Sequence, residues 1–190
     1  MIAAIVLAAG EARRFGKLKQ LMLIDGKPLL QQTLDRVHQS KVDDVLLILG
    51  AHADEIRKQV GHRAVVNRNY AFGMSTSLQA GLRALPADVE AALIVLGDQP
   101  FVAPSTLDSL IDAYRHSKSK IVVPTCEGIR GNPVLIDRSL FARAMELRGD
   151  IGFRAVFGKE DVVEVAVDDR GVIDDVDTIE DFECLTKHSS

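Results

Sequence analysis

The sequence has little cysteine, no excess of positive charge and no long apolar run, and each shortage closes off a class of function. The 190 residues hold only two cysteines, Cys126 and Cys184, far apart and without a C-x-x-C partner. That usage points to reduced structural thiols, not to a disulfide framework or a zinc site. A formal net charge of −4 argues against a general nucleic-acid binder. No apolar stretch approaches the roughly 20 residues of a membrane span, and the opening lacks the basic segment and cleavage site of a secretory leader. The expectation is a cytoplasmic protein that engages neither membrane nor nucleic acid. Apolar residues at 47% and charged residues at 26% are ordinary for a globular protein, and the length suits a single domain over 1–190.

What is present is an alternation. Apolar runs of strand length lie at Ile2–Ala8, Val45–Leu49, Ala64–Val66, Ala91–Leu96, Ile121–Val123 and Val162–Val167. Amphipathic segments near Leu29–Gln39, Asp54–Val60, Ser77–Leu85 and Thr106–His116 separate most of them. This pattern predicts an α/β fold: a mostly parallel sheet with helices on both faces, Rossmann-like, with ligands outside the carboxyl ends of the strands. Charge is uneven as well. Residues 10–20 carry four cations and one acid, whereas residues 160–183 carry eleven acids and one arginine.

The first strand empties into the basic loop, Gly10-Glu11-Ala12-Arg13-Arg14-Phe15-Gly16-Lys17-Leu18-Lys19. A buried strand followed by glycines and cations is a phosphate-binding layout, because the backbone turns sharply and presents N–H groups to an anion. Two common phosphate loops do not fit. Five residues, not four, separate Gly10 from Gly16, and Leu18 stands where a P-loop needs its hydroxyl. Ala12 occupies the place of the second glycine of a dinucleotide fingerprint. A second informative position is Asp98, which ends the apolar run Leu93–Leu96 in Gly97-Asp98-Gln99-Pro100 and so reaches the ligand edge of the sheet. A carboxylate there suits magnesium bound to phosphate oxygens.

Leu7-Ala8-Ala9-Gly10, Arg14-Phe15-Gly16 and Lys19 together resemble the nucleotidyltransferase signature L-A-A-G-x-x-x-R-[FM]-G followed by lysine. The pattern is similar to the MobA/MocA-like molybdenum cofactor nucleotidyltransferases, and later motifs extend the likeness over nearly the whole chain. The resemblance implies a nucleotide-binding half over 1–100. Leu7, Ala8, Ala9, Gly10, Arg14 and Lys19 would line the nucleotide site, with Asn67, Gly73, Ser75 and Ser77 from a G-M-S-x-S-L-like segment. An acceptor-binding half over 101–190 would contribute Asn132, Asp150 and Arg154. Asn132 replaces the histidine of the family's R-G-H-P-V segment, which excludes a protonation role at that position. Catalysis would rest on Lys19, Arg14 and Asp98. Asp98 and Asp177 would hold Mg²⁺ (or Mn²⁺), with Asp175 the next choice for the second ligand.

The implied reaction moves CMP from CTP to the phosphate of molybdopterin, with a molybdoenzyme or its chaperone as receiving partner. Ala8-Ala9-Gly10 and Pro104-Ser105-Thr106 favour the cytidylyl branch of the family. The incoming phosphate is already ionised, so no general base is expected, and the five histidines read as surface residues. Guanylyl transfer, a sugar-phosphate acceptor and a non-catalytic nucleotide-binding regulator are the alternatives. Glu11 and Ala12 leave room for the last, while Lys19, Asp98 and Asp177 argue against it.

Overall fold

The computed structural model describes residues 1–10, 18–117, 119–150 and 162–175. Its centre is β1 (Ile2–Ala8), whose residues are almost all buried. A strand covered on both faces needs apolar side chains at every position, not at alternate ones, and the run Ile-Ala-Ala-Ile-Val-Leu-Ala supplies them. It pairs in parallel with β4 (Asp44–Leu49) on one side and β6 (Ala91–Leu96) on the other, so that Leu7 faces both Ile48 and Leu96.

Two short strands, β2 (Leu23–Ile24) and β3 (Lys27–Pro28), form a separate hairpin before the first helix. The main sheet runs in the order β10-β7-β9-β6-β1-β4-β5, where β5 is Ala64–Val66, β7 Ile121–Cys126, β9 Val134–Asp137 and β10 Val162–Ala166. A further strand, β8 (Ile129–Arg130), folds back on β7. The expectation of a mostly parallel sheet holds, with two departures, β9 and the pairing of β8 with β7. Strand β9 lies antiparallel between β6 and β7. Its four residues were not distinguishable as a strand because a short apolar run carries no period of its own.

Helices cover both faces. Alternate residues of the central strands point to opposite sides. Val6, Leu47 and Leu93 pack with α1 (Leu29–His38), α2 (Ala53–Val60) and α4 (Pro104–His116). Ile5, Ile48 and Ile94 pack with α3 (Met74–Ala84) and α5 (Phe141–Ala144). Leu30 and Leu34 of α1 are fully buried, and each such side chain contributes roughly 1.5–3 kcal/mol relative to exposure. On the other face α3 comes very close to β1. A Cβ on Gly81 would lie 2.6 Å from Ile5 Cγ2, so only glycine permits that approach.

Cys126 is a buried thiol outside any disulfide, and Cys184 lies outside the described residues. Among the described residues no helix is long and apolar enough to cross a membrane.

The chain order makes the site. From β1 it moves through α1 to β4 and through α2 to β5, then returns to place β6 on the opposite side of β1. Connections leaving the carboxyl ends of β1 and β6 therefore diverge, and a crevice opens between them. Gly10 and Asp98 sit at its two lips.

Candidate active site

At this crevice Lys19 and Asp98, 79 positions apart in the sequence, meet. Lys19 Nζ donates to Asp98 Oδ2 at 2.8 Å. Lys19 begins a short 3-10 turn (Lys19–Leu21), which sets its side chain inside the crevice at 11% exposure, while the Asp98 side chain is 36% exposed. A cation held this deep needs a compensating charge, and the carboxylate at the end of β6 supplies it. The neighbouring Gln20 fastens the turn to the strand. Its Nε2 donates to the carbonyls of Gly10 at 3.0 Å and Ala8 at 3.4 Å. Across the crevice Gly97 donates its N–H to Leu7 O at 2.9 Å, and Thr33 Oγ1 donates to Gly97 O at 3.1 Å. The Gly97-Asp98 turn is thus anchored from both β1 and α1.

Asp175 reaches the same region. Gln99 Nε2 donates to its Oδ1 at 2.6 Å, next in sequence to Asp98. The segment is delivered by Asp169, one carboxylate doing two jobs. Its Oδ2 accepts from Ala103 N at 2.8 Å and Thr106 Oγ1 at 2.6 Å, and its Oδ1 accepts from Gly171 N at 3.0 Å. The helix α4 starts at Pro104, and the oxygen that holds its start comes from a residue remote in sequence. Asp177, Arg14 and Arg154 lie outside the described residues.

The described donors suit a small hard cation. Among the described residues no group of three or more His, Cys, Asp or Glu side chains gathers. Magnesium, however, is commonly held by one or two carboxylates together with substrate phosphates and water. Among the described residues three buried side-chain oxygens have no hydrogen-bond partner: Gln20 Oε1, Gln99 Oε1 and Ser75 Oγ. They belong to residues beside Lys19, beside Asp98 and in the first turn of α3. Buried polar atoms are rarely left so, and two of the three, on Gln20 and Gln99, are next in sequence to the Lys19–Asp98 pair, which suits the crevice to a polar guest.

The helix α3 begins earlier than the Ser77–Leu85 segment predicts, and Ser75, Thr76 and Ser77 lie inside its first turn. It begins at Met74, with Gly73 at the cap position and no side-chain bond from it. The cap is Asp150, whose Oδ1 accepts from Met74 N at 3.0 Å, while Gly149 O accepts from Ser75 N at 3.2 Å. A helix N-terminus attracts an anion, and here the chain's own carboxylate takes that place. The resemblance gave Asp150 to the acceptor side, and in the fold it holds the start of α3. Ser75 and Ser77 are 2% and 4% exposed. The amide of Asn67 donates to Thr76 Oγ1 at 2.8 Å and to Ser77 Oγ at 3.0 Å. The Asn67, Thr76 and Ser77 side chains are thus bonded to one another within the protein.

Gly73 has φ +105°, and a Cβ there would stand 2.6 Å from Gly149 O. Gly73→Ala is expected to push the 149–150 turn off α3 and cost about 1–3 kcal/mol. A thermal melt checks it, and an unchanged Tm would contradict the close approach.

Two contacts at the site gave no signal in the sequence. Gly50, after β4, packs under Tyr70, where an added Cβ would lie 2.6 Å from both Tyr70 Cβ and Ala9 O. A cleft of about 660 Å³ opens on that side, lined by Gly50, His52, Arg57, Val66 and Arg68 among others. Its walls include neither Lys19 nor Asp98, and the chemistry is assigned to that pair, not to this cleft. Asn132, the expected acceptor residue, donates its N–H to Val172 O at 2.8 Å, which places its segment against the turn that precedes Asp175.

Residues 4–165 match a family model described as MobA-like NTP transferase domain. A curated relative from Thermococcus kodakarensis, named probable molybdenum cofactor guanylyltransferase, is 34% identical over 123 residues, covering 63% of this chain and 57% of that protein. The chain thus matches little more than half the length of that relative. The crystal structure of Rv0371c from Mycobacterium tuberculosis H37Rv superposes with a TM-score of 0.87 at 33% identity, covering 98% of this chain and 97% of that one. A manganese complex of Rv0371c superposes at 0.83 with 31% identity, covering 98% of each chain.

Proposed function

Since the chain belongs to the family of MobA-like NTP transferase domains, we propose that it transfers a nucleoside monophosphate from an NTP to the phosphate of an acceptor, CMP from CTP to molybdopterin. The observation that carries this reading is the Lys19–Asp98 pair at 2.8 Å in the crevice between β1 and β6.

An oxygen of the acceptor phosphate attacks the α-phosphorus of the nucleotide. A new P–O bond forms, the α–β bridge breaks, and pyrophosphate carries the electron pair away. Such a transfer asks the protein for positioning and charge neutralisation and needs no nucleophile from it. Lys19 is placed to neutralise charge on the phosphates. Asp98, with Asp175 or Asp177, would hold a divalent cation, Mg²⁺ or Mn²⁺, which neutralises phosphate oxygens when bound. The manganese complex of the Mycobacterium tuberculosis relative supports a divalent ion. Before substrate arrives, Lys19 and Asp98 compensate each other. A metal–nucleotide carries the opposite charge for each, so its binding exchanges the partners without leaving either ion uncompensated. The 149–150 turn, held by α3, would form part of the acceptor side.

The choice of CTP rests on Ala8-Ala9-Gly10. Thr106 is occupied with Asp169 and lends it no support. Guanylyl transfer is the second reading, favoured by the name of the Thermococcus relative. Incubating the protein with molybdopterin, Mg²⁺ and each of CTP, GTP, ATP and UTP separates them by pyrophosphate release. The expected result is the highest kcat/KM with CTP. A higher value for GTP would reverse the donor, and no release with any nucleotide would refute the transferase reading.

A further inference from the structure

His38 and His62 point their Nε2 atoms at each other across 3.0 Å, with ring centroids 5.1 Å apart and planes tilted by 41°. The pair lies on the α1–α2 side of the molecule and takes no part in the crevice chemistry. His38 is the last residue of α1. His62 follows Gly61, the residue that ends α2 in a left-handed conformation. Two helix C-termini, each with carbonyl oxygens and the negative end of its dipole, therefore converge on two imidazoles. That is a setting for a cation.

The tautomers follow from geometry. His62 Nδ1 lies 2.8 Å from the carbonyl of Arg63, which can only accept, so Nδ1 carries the hydrogen and the Nε2 lone pair faces His38. A ring N–H held by a backbone carbonyl is the usual orienting contact behind a metal-bound histidine. His38 then supplies the single hydrogen between the rings. Moving that hydrogen to its own Nδ1 leaves two lone pairs facing one gap, with no net proton released. Metal–nitrogen bonds near 2.0–2.1 Å set the two ligand atoms about 2.9 Å apart at a right angle and about 3.3 Å apart in a tetrahedron. The observed 3.0 Å needs only small side-chain adjustments. The acids close by are already occupied: Asp35 by Lys27 and Gln31, and Asp44 by Arg63.

We propose that His38 and His62 form a two-histidine site for a borderline transition ion, Cu²⁺, Ni²⁺ or Zn²⁺, whose remaining positions are filled by water. Imidazole selects these ions over the hard Mg²⁺ or Mn²⁺ suited to the carboxylates of the crevice. The bound ion clips the end of α1 to the turn between α2 and β5.

Calorimetric titration with ZnCl₂ in a large excess of MgCl₂, which keeps the carboxylates occupied, tests the site. The wild type should take one equivalent. Losing an orienting partner behind a ligand already weakens metal sites 10- to 100-fold, so His38→Ala and His62→Ala should each weaken binding at least about tenfold. The double variant should be no weaker than either single one, because one histidine alone holds no chelate. With one equivalent of Cu²⁺, electron paramagnetic resonance should show nitrogen coupling that both single variants diminish. His38 is exposed and His62 half-buried, outside the apolar core, so the variants are expected to fold. No binding by the wild type, binding that survives either substitution unchanged, or copper without nitrogen coupling would overturn the proposal.

Discussion

Lys19→Ala is expected to lose about 10²–10³-fold in kcat/KM for nucleotide transfer while the protein stays folded. Removing one preorganised charge-stabilising group from an active site has that order of effect. Lys19 is such a group: its ammonium is held at 11% exposure by a turn that Gln20 fastens to β1. Alanine leaves the phosphate charge uncompensated in the transition state. It also leaves Asp98 without this cation, but that carboxylate is 36% exposed and water can solvate it, so the melting temperature should change little. Steady-state kinetics with a melting curve on the same preparation decide the matter. A folded variant with near-normal kcat/KM would remove Lys19 from the mechanism.

Asp98→Asn should have the larger effect, reducing metal-dependent turnover by about 10³-fold or more, because it removes charge at the proposed metal site as well as at the Lys19 contact. Asparagine has nearly the same shape and can still accept from Lys19, so the anchors from Leu7 and Thr33 to the Gly97 turn are undisturbed. A magnesium titration should show a much weaker apparent affinity. Asp175→Asn should be milder, because that carboxylate meets the site through Gln99. The Lys19→Ala/Asp98→Asn double variant should fall well short of the product of the two single losses, since groups in contact act as a unit. Strict additivity would mean that the two residues serve separate steps. Full activity in Asp98→Asn would end the metal assignment.

The two residues at stake differed from other expected site residues in how clearly the sequence exposed them. Asp98 follows a run of buried strand residues directly, and any such residue must emerge at the carboxyl edge. Lys19 follows a glycine-rich basic loop, whose composition already implies an anion. Ser75, Ser77 and Asn67 looked equally suited to a ligand. The helix α3 begins three residues earlier than its apolar pattern suggests, which places Ser75 and Ser77 in its buried first turn, and the Asn67 amide is bonded to Ser77. A polar residue near a helix start has two uses, capping and ligand contact, and the local sequence does not separate them. The carboxylates that do cap, Asp150 for α3 and Asp169 for α4, stand 76 and 66 positions from the N–H groups they hold. No window along the chain contains both partners.

The sequence by itself determined the α/β layering, the buried central strand, and the two loop ends that bear Lys19 and Asp98. Each of these is written in a local period or a local composition, and burial enforces both. Tertiary structure alone decided which side chains meet. The return of the chain to place β6 beside β1 brings Lys19 within 2.8 Å of Asp98. The antiparallel insertion of β9, the delivery of Asp175 by Asp169 and the facing of His38 and His62 arise in the same way. Such pairings depend on distances across the folded sheet and between helix ends, and no spacing along the chain encodes them.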